Sequence, residues 1–144
     1  MITIRQMEEK DAGKAACLEA DNFSAPWSEN AFIETLRCDY AFYYVAEVDG
    51  CVAGICGLRN IAGEGEITNV VVAKHFRRKG VAQALLAKVL EEGSSFGIEA
   101  FTLEVRCSNT PAIRLYEKFG FKDEGVRRNF YDKPREDALI MWKR

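Results

Sequence analysis

Apolar and polar residues alternate over the first positions of the chain, ITIR, so residues 2–5 are predicted to form a short strand. A helix is expected to begin after Asp11, whose carboxylate suits the exposed N–H groups of a first helical turn. Pro26 and Trp27 interrupt the chain. Ser28 has the character of a second N-cap, with Trp27 and Phe32 at the two positions of a hydrophobic staple, and that helix is predicted to run to about Cys38. Ala41–Val48 and Cys51–Arg59 are rich in aromatic and β-branched residues. They are joined by Asp49-Gly50, a dipeptide suited to a two-residue type I′ turn, which predicts a hairpin. Gly63 and Gly65 flank another turn, and Glu66–Ala73 is expected to be a strand buried at its far end.

The period changes after Gly80. Val81, Leu85 and Val89 recur every four residues, as do Ala82, Leu86 and Leu90, which predicts an amphipathic helix ending near Gly93–Gly97. Ala100–Arg106 is predicted as a strand. Thr110 is expected to cap a further helix, with Pro111 at its first position and Gly120 stopping it. Phe121–Tyr131 and Glu136–Lys143 complete the pattern as two final strands. A meander of strands, then strand–helix–strand–helix, then two strands predicts one mixed α/β domain over residues 1–144.

Composition narrows the possible functions. Lys and Arg number 20 against 22 Asp and Glu, a net charge of −2, which argues against a direct nucleic-acid ligand. Residues 1–14 have no basic region followed by an apolar run, so no secretory leader is expected. No stretch approaches the roughly 20 apolar residues that span a bilayer. The five cysteines, Cys17, Cys38, Cys51, Cys56 and Cys107, are scattered and form no CxxC pair, as expected of reduced thiols in a cytoplasm with no zinc site. The single histidine, His75, has no evident partner and is expected to face solvent; Cys107 is expected to be a small packing residue.

Chemistry concentrates at Val70–Gln83. Here an apolar strand runs into the basic turn Lys74-His75-Phe76-Arg77-Arg78-Lys79-Gly80, and a helix opens at once. A helix N-terminus offers unpaired N–H groups and about +0.5 of an elementary charge, and glycine lets an anion approach the backbone closely. A phosphate or pyrophosphate site and an ordinary basic turn fit the loop equally well. The loop has neither the G-x-x-x-x-G-K-S/T spacing of a Walker loop nor the G-x-G-x-x-G of a dinucleotide fold. Downstream, Glu104 stands in the strand FTLEVR. It is a potential general base if the sheet is covered on both faces, and otherwise an ordinary solvated carboxylate. Tyr116 follows Ile113 and precedes Phe119 at helical spacing, which by itself reads more readily as core.

RRKGVA, preceded by TNVVV, resembles the Q/R-x-x-G-x-G/A coenzyme A motif of the GNAT superfamily of N-acetyltransferases, with Arg77, Gly80 and Ala82 at its defined positions. LEVRCSNTPAIRLYEKFGF resembles the LEVR-x-SN and LYE-x-x-GF signature of the N-terminal acetyltransferases of the RimI type. PWS upstream and RRNFY with REDALIM downstream extend the likeness over nearly the whole chain. The resemblance implies a GNAT fold: a mostly antiparallel central sheet flanked by helices, with splayed fourth and fifth strands holding acetyl-CoA. It implies Glu104 as general base and Tyr116 as general acid, with Asn109 contacting the cosubstrate. Val70, Val71 and Val72 would hold the acetyl and pantetheine, and Arg78, Lys79, Gly80, Val81, Ala82 and Gln83 the pyrophosphate.

The implied activity is direct acetyl transfer to the N-terminus of a protein, the N-terminal alanine of a small-subunit ribosomal protein, by a cytoplasmic enzyme that is a monomer or weak dimer and binds neither nucleic acid nor membrane. An α-amine titrates near 7.7–8.0 and a lysine near 10.4, so at pH 7 the lysine costs roughly 3 kcal/mol more to deprotonate. Lysine side chains, polyamines or another small amine remain alternative acceptors, and a non-catalytic acyl-CoA-binding module remains an alternative class. Arg127 and Arg128 either close the acceptor groove or are simply solvated.

Overall fold

In the computed structural model, which describes residues 1–144, strand β1 (Ile2–Gln6) lies antiparallel along β2 (Ala41–Val48), which is joined to β3 (Cys51–Ile61) by the expected hairpin. Asp49 and Gly50 both hold positive φ, 51° and 80°, the type I′ geometry whose twist matches that of paired strands. Ala62 and Gly63 form a second such turn into β4 (Glu64–Val72), with φ of 53° and 86°. Pairing therefore extends two residues further at each side of that turn than the sequence pattern indicates.

Helix α1 (Ala12–Asn22) and α2 (Glu29–Leu36) connect β1 to β2, α3 (Val81–Ser95) connects β4 to β5 (Ala100–Arg106), and α4 (Thr110–Lys118) precedes the hairpin of β6 (Lys122–Tyr131) and β7 (Glu136–Lys143). All seven strands form one sheet in the order β1-β2-β3-β4-β5-β7-β6. Every neighbouring pair is antiparallel except β4 with β5. No helix is long and apolar enough to cross a membrane.

The sheet has a core on each face. On one, Leu85, Leu86 and Val89 of α3 and Tyr116 of α4 pack on Tyr44, Leu58, Phe101 and Leu103. On the other, Ala15 and Leu18 of α1 and Phe32 of α2 pack on Tyr43, Val45, Ile55 and Val71. This second core takes nothing from β5, β6 or β7, so that end of the sheet is left uncovered on the α1–α2 face.

Two capping expectations are corrected. Ser28 does cap α2, accepting from Ala31 N–H at 3.1 Å, and Trp27 meets Phe32 with ring centroids 5.2 Å apart. Asp11 does not cap α1 through its side chain. It ends a short 3-10 turn, Glu9–Asp11, and is buried where Arg5 donates to both its oxygens at 2.8 and 2.9 Å and Glu8 N–H donates at 2.8 Å. A buried carboxylate beside a guanidinium gains more from that fork than from a helix end already closed by the turn. At α4 the cap is Asn109, whose Oδ1 accepts from Ala112 N–H at 3.4 Å, so Thr110 and Pro111 stand one position further into the helix than expected.

The Arg5 guanidinium holds the Asp11 carboxyl below its ordinary value, the Glu8 N–H adds to this, and burial opposes it. The unfolded chain therefore binds this proton more readily. The stabilisation is fully present above about pH 5 and is lost as pH falls through the folded-state value. Asp11→Asn should lower the unfolding free energy by about 2–3 kcal/mol at pH 7. The gap from the unaltered protein should close below about pH 4, as measured by urea denaturation at the two pH values.

Candidate active site

Strands β4 and β5 run in parallel but pair over only three positions, Glu64 with Ala100, Gly65 with Phe101 and Glu66 with Thr102. Beyond them the strands part. A bulge lies on β4: Ile55 pairs with Val71 and Gly57 with Thr68, so β4 carries one more residue than β3 over that interval. Asn69 takes the left-handed conformation there, with φ of 52°. Bulges bend a strand and increase its twist. The parting leaves the β5 side of Val70, Val71 and Val72 without a neighbouring strand, and these residues line a cleft of about 790 Å³. Val71 is buried as expected, whereas Val70 and Val72 are only half-buried because they face this cleft.

The basic turn closes the cleft at one end. Gly80 holds φ of 82°, which glycine adopts without steric penalty, and a Cβ there would meet nothing within 4 Å. No side chain caps α3. Its first helical bond runs from Ala84 N–H to Gly80 O, so the N–H groups of Val81, Ala82 and Gln83 precede the ladder, and all three residues line the cleft. Arg78, with φ of 63°, lines it too. Such a backbone attracts an anion. Arg77 also lines the cleft, but its side chain braces the loop by donating to Val72 O at 3.2 Å and to Asn22 Oδ1. Lys79 is not among the lining residues; its ammonium lies 5.8 Å from the centroid of the Phe76 ring. His75 is exposed, as expected.

Helix α4 forms the opposite wall, through Asn109, Ala112, Leu115 and Tyr116 among others. Tyr116 is 6% exposed, and burial pushes its phenol well above the ordinary value, so the hydroxyl keeps its proton through the neutral range. Tyr116 therefore belongs to the core, as its helical spacing indicates, and also lines the cleft.

Glu104 lies elsewhere. Phe101, Leu103 and Val105 of β5 point to the α3–α4 core, so strand alternation turns Glu104 to the opposite, uncovered face. The condition of a sheet covered on both faces is not met here, because α1 and α2 reach only as far as β4. The Glu104 side chain is 23% exposed, and its Oε2 lies 3.1 Å from Nε of Arg127 on β6 without a well-directed hydrogen bond. Arg127 thus faces the carboxylate instead of being merely solvated. Tyr131, at the end of β6, has its phenol pushed up to about 12, first by burial and then by the Glu104 charge. Tyr116 and Glu104 consequently flank the parting of β4 and β5 from opposite faces of the sheet. Cys107, expected to pack inside, is exposed just after β5.

Several residues of the site lie outside the motifs of the sequence. Asn22 and Phe23, at the end of α1, line the cleft, and so do Arg114 and Lys118 of α4. The two cations follow Pro111 by three and seven residues, a helical spacing that puts them on the cleft face and was legible. Glu19 is a carboxylate only 2% exposed. It sits on the apolar face of α1 with Ala12 and Ala15, and an acid within that stripe was the available signal.

The cleft suits a long molecule with an extended arm and an anionic end. The sequence model of the acetyltransferase (GNAT) family matches residues 14–121. A ribosomal protein bS18-alanine N-acetyltransferase of Escherichia coli K12 is 34% identical over 143 residues, covering 98% of this chain and 96% of that protein. A Bacillus subtilis protein, to which the same activity is provisionally ascribed, is 37% identical over 140 residues, 96% of this chain and 93% of that one. The crystal structure of the Escherichia coli ribosomal-protein alanine N-acetyltransferase superposes with a TM-score of 0.91 at 32% identity, over 99% of this chain and 93% of the other. The parted strands, the anion-attracting turn and these relatives lead to one conclusion: the chain belongs to the acetyltransferase (GNAT) family and is an acetyl-CoA-dependent N-acetyltransferase.

Proposed function

We propose that residues 1–144 act as one N-terminal acetyltransferase domain, which moves the acetyl group of acetyl-CoA to the N-terminal alanine of a small-subunit ribosomal protein in the cytoplasm. The observation that carries this reading is the parting of β4 and β5 between Tyr116 on one face and Glu104 on the other. The names of the relatives supply the acceptor. A cleft of about 790 Å³ ending at the unpaired N–H groups of Val81, Ala82 and Gln83 fits the pantetheine arm and diphosphate of coenzyme A. The backbone of Val70, Val71 and Val72 stands in for a strand edge along which an extended amide-bearing arm can bond. Arg78 and Gly80 complete the turn at the diphosphate; Asn109 contacts the arm from α4.

Glu104 takes a proton from the acceptor ammonium through water, and the freed lone pair attacks the thioester carbonyl carbon. An N–H on the β4 edge stabilises the tetrahedral oxyanion. As the C–S bond breaks, Tyr116 donates its proton to the departing sulfur, the second proton of the attacking nitrogen passes through water to the Tyr116 phenolate, and Glu104 releases its proton to solvent. No acetyl-enzyme forms, and the chain works as a monomer or weak dimer. The Arg127 guanidinium beside Glu104 must yield as the acceptor ammonium enters.

Glu104→Gln and Tyr116→Phe should each lower kcat by about 10²–10⁴-fold while leaving coenzyme A affinity within a few-fold, as read by free-thiol release and calorimetry. An unchanged rate in both would remove these roles. Because burial raises the Tyr116 phenol, its acid form persists above pH 10, so loss of the acid should cause no fall in kcat before pH 10, as read from a pH–rate profile. A peptide panel decides the acceptor. Peptides with a free alanine α-amine should be acetylated, and turnover confined to lysine ε-amines or polyamines would reject the proposal.

A further inference from the structure

Glu19 anchors a chain of partly buried polar groups that crosses from α1 to the bulge of β4. Its Oε1 accepts Trp27 N–H at 3.0 Å, and its Oε2 accepts from Asn69 Nδ2 at 3.2 Å. Asn69 Oδ1 in turn accepts from the Tyr43 hydroxyl at 2.8 Å, and that hydroxyl lies 2.9 Å from Thr68 Oγ1. The donors therefore run one way, from Thr68 through Tyr43 and Asn69 to the carboxylate. Space for the chain is made by Gly57, where a Cβ would meet Cζ of Tyr43 at 2.4 Å and Oγ1 of Thr68 at 2.6 Å. Any side chain at that position would displace the Tyr43 ring.

The location of this chain gives it meaning. Asn69 is the left-handed residue of the bulge, a conformation that costs most residues about 1–2 kcal/mol and that asparagine tolerates best after glycine. Val70, which follows it, begins the cleft wall. Trp27 belongs to the segment between α1 and α2, and its ring stacks on Tyr43 at 6.0 Å between centroids. One helical turn after Glu19, Asn22 and Phe23 line the cleft, and Asn22 accepts from Arg77. One carboxylate thus ties α1, the α1–α2 segment and the β4 bulge together. A stability role alone would be served as well by an apolar residue, since α1 buries Ala12, Ala15 and Leu18 on the same core.

We infer that Glu19 is a positioning residue for acyl transfer, acting through Asn69 to hold the β4 edge and through Trp27 to hold the α1–α2 segment against it. It touches neither substrate. The inference rests on the proposed reaction for its kinetic consequence and on the fold alone for its structural one.

Glutamine can replace the carboxylate if the chain reverses: its Oε1 keeps Trp27 N–H, its NH₂ donates to a turned-over Asn69 amide, and Tyr43 then donates to Thr68. Glu19→Ala breaks both anchors. Asn69→Gly keeps the left-handed backbone and removes only the amide, so it remains informative if Glu19→Ala does not fold. For the full chain with a peptide acceptor, kcat should fall by about 10–100-fold in Glu19→Ala and in Asn69→Gly. The Kd for coenzyme A should stay within about three-fold, and Glu19→Gln should recover most of the rate. The double variant should be no slower than the worse single one, because both act on one chain. Amide hydrogen exchange of residues 67–72 should quicken in both damaged variants while that of α3 does not. An unaltered kcat beside a lowered Tm, a glutamine variant as slow as the alanine one, or unaltered exchange at residues 67–72 would each overturn the inference. If the unaltered protein turns over no peptide, the acceptor assignment fails, and the exchange measurement still decides the role of Glu19.

Discussion

The pairing of β4 with β5 stops after three positions, and most of what matters in this molecule follows from that stop. A parallel pair carried to its end would have bonded the edge of Val70–Val72 to β5 and left no cleft. Instead the bulge at Asn69 turns β4 aside while β5 stays bonded to β7 from Phe101 to Arg106. Unpaired backbone at such a place is costly in a core, where nearly every N–H and C=O is bonded. It persists here because it borders an open cleft, where solvent or a ligand can reach it.

The same stop is what the proposed reaction relies on to use two groups on opposite faces of the sheet. Strand alternation commits Leu103 to the α3–α4 core and Glu104 to the other side. Tyr116 is held in that core by α4, in edge contact with Phe121 at 6.0 Å between ring centroids. In a continuous sheet the two would be insulated from each other by backbone. Across a parting both border the gap: the cleft side holds Tyr116 and the anion-attracting turn, and the uncovered side holds the Glu104 carboxylate and Arg127.

Much of the fold was legible because its signals are local. Asp49-Gly50 specifies its turn by backbone geometry, the four-residue recurrence from Val81 to Leu90 specifies α3, and Ser28 with Trp27 and Phe32 specifies the start of α2. Structure departs from the sequence pattern where a local signal meets a distant partner. Asp11 has the right chemistry for a cap, but Arg5 claims its carboxylate once β1 is placed beside α1. Thr110 competes with Asn109 for one cap, and the turn after β5 decides for Asn109. Cys107 is exposed because the strand that might have buried it ends just before it.

By itself the sequence determined the order of strands and helices, the basic turn opening onto a helix at Gly80, and the positions of Glu104 and Tyr116, since each depends on residues within a few places of one another. Tertiary structure decided which faces those residues occupy, where β4 and β5 part, the pairing of Arg127 with Glu104, and the burial of Glu19 against an asparagine fifty positions away. The physical reason is range. Periodicity, turns and caps are settled by the sterics and hydrogen bonds of neighbouring residues. Burial and charge pairing are settled only when the sheet brings together segments whose separation along the chain leaves no trace in either one.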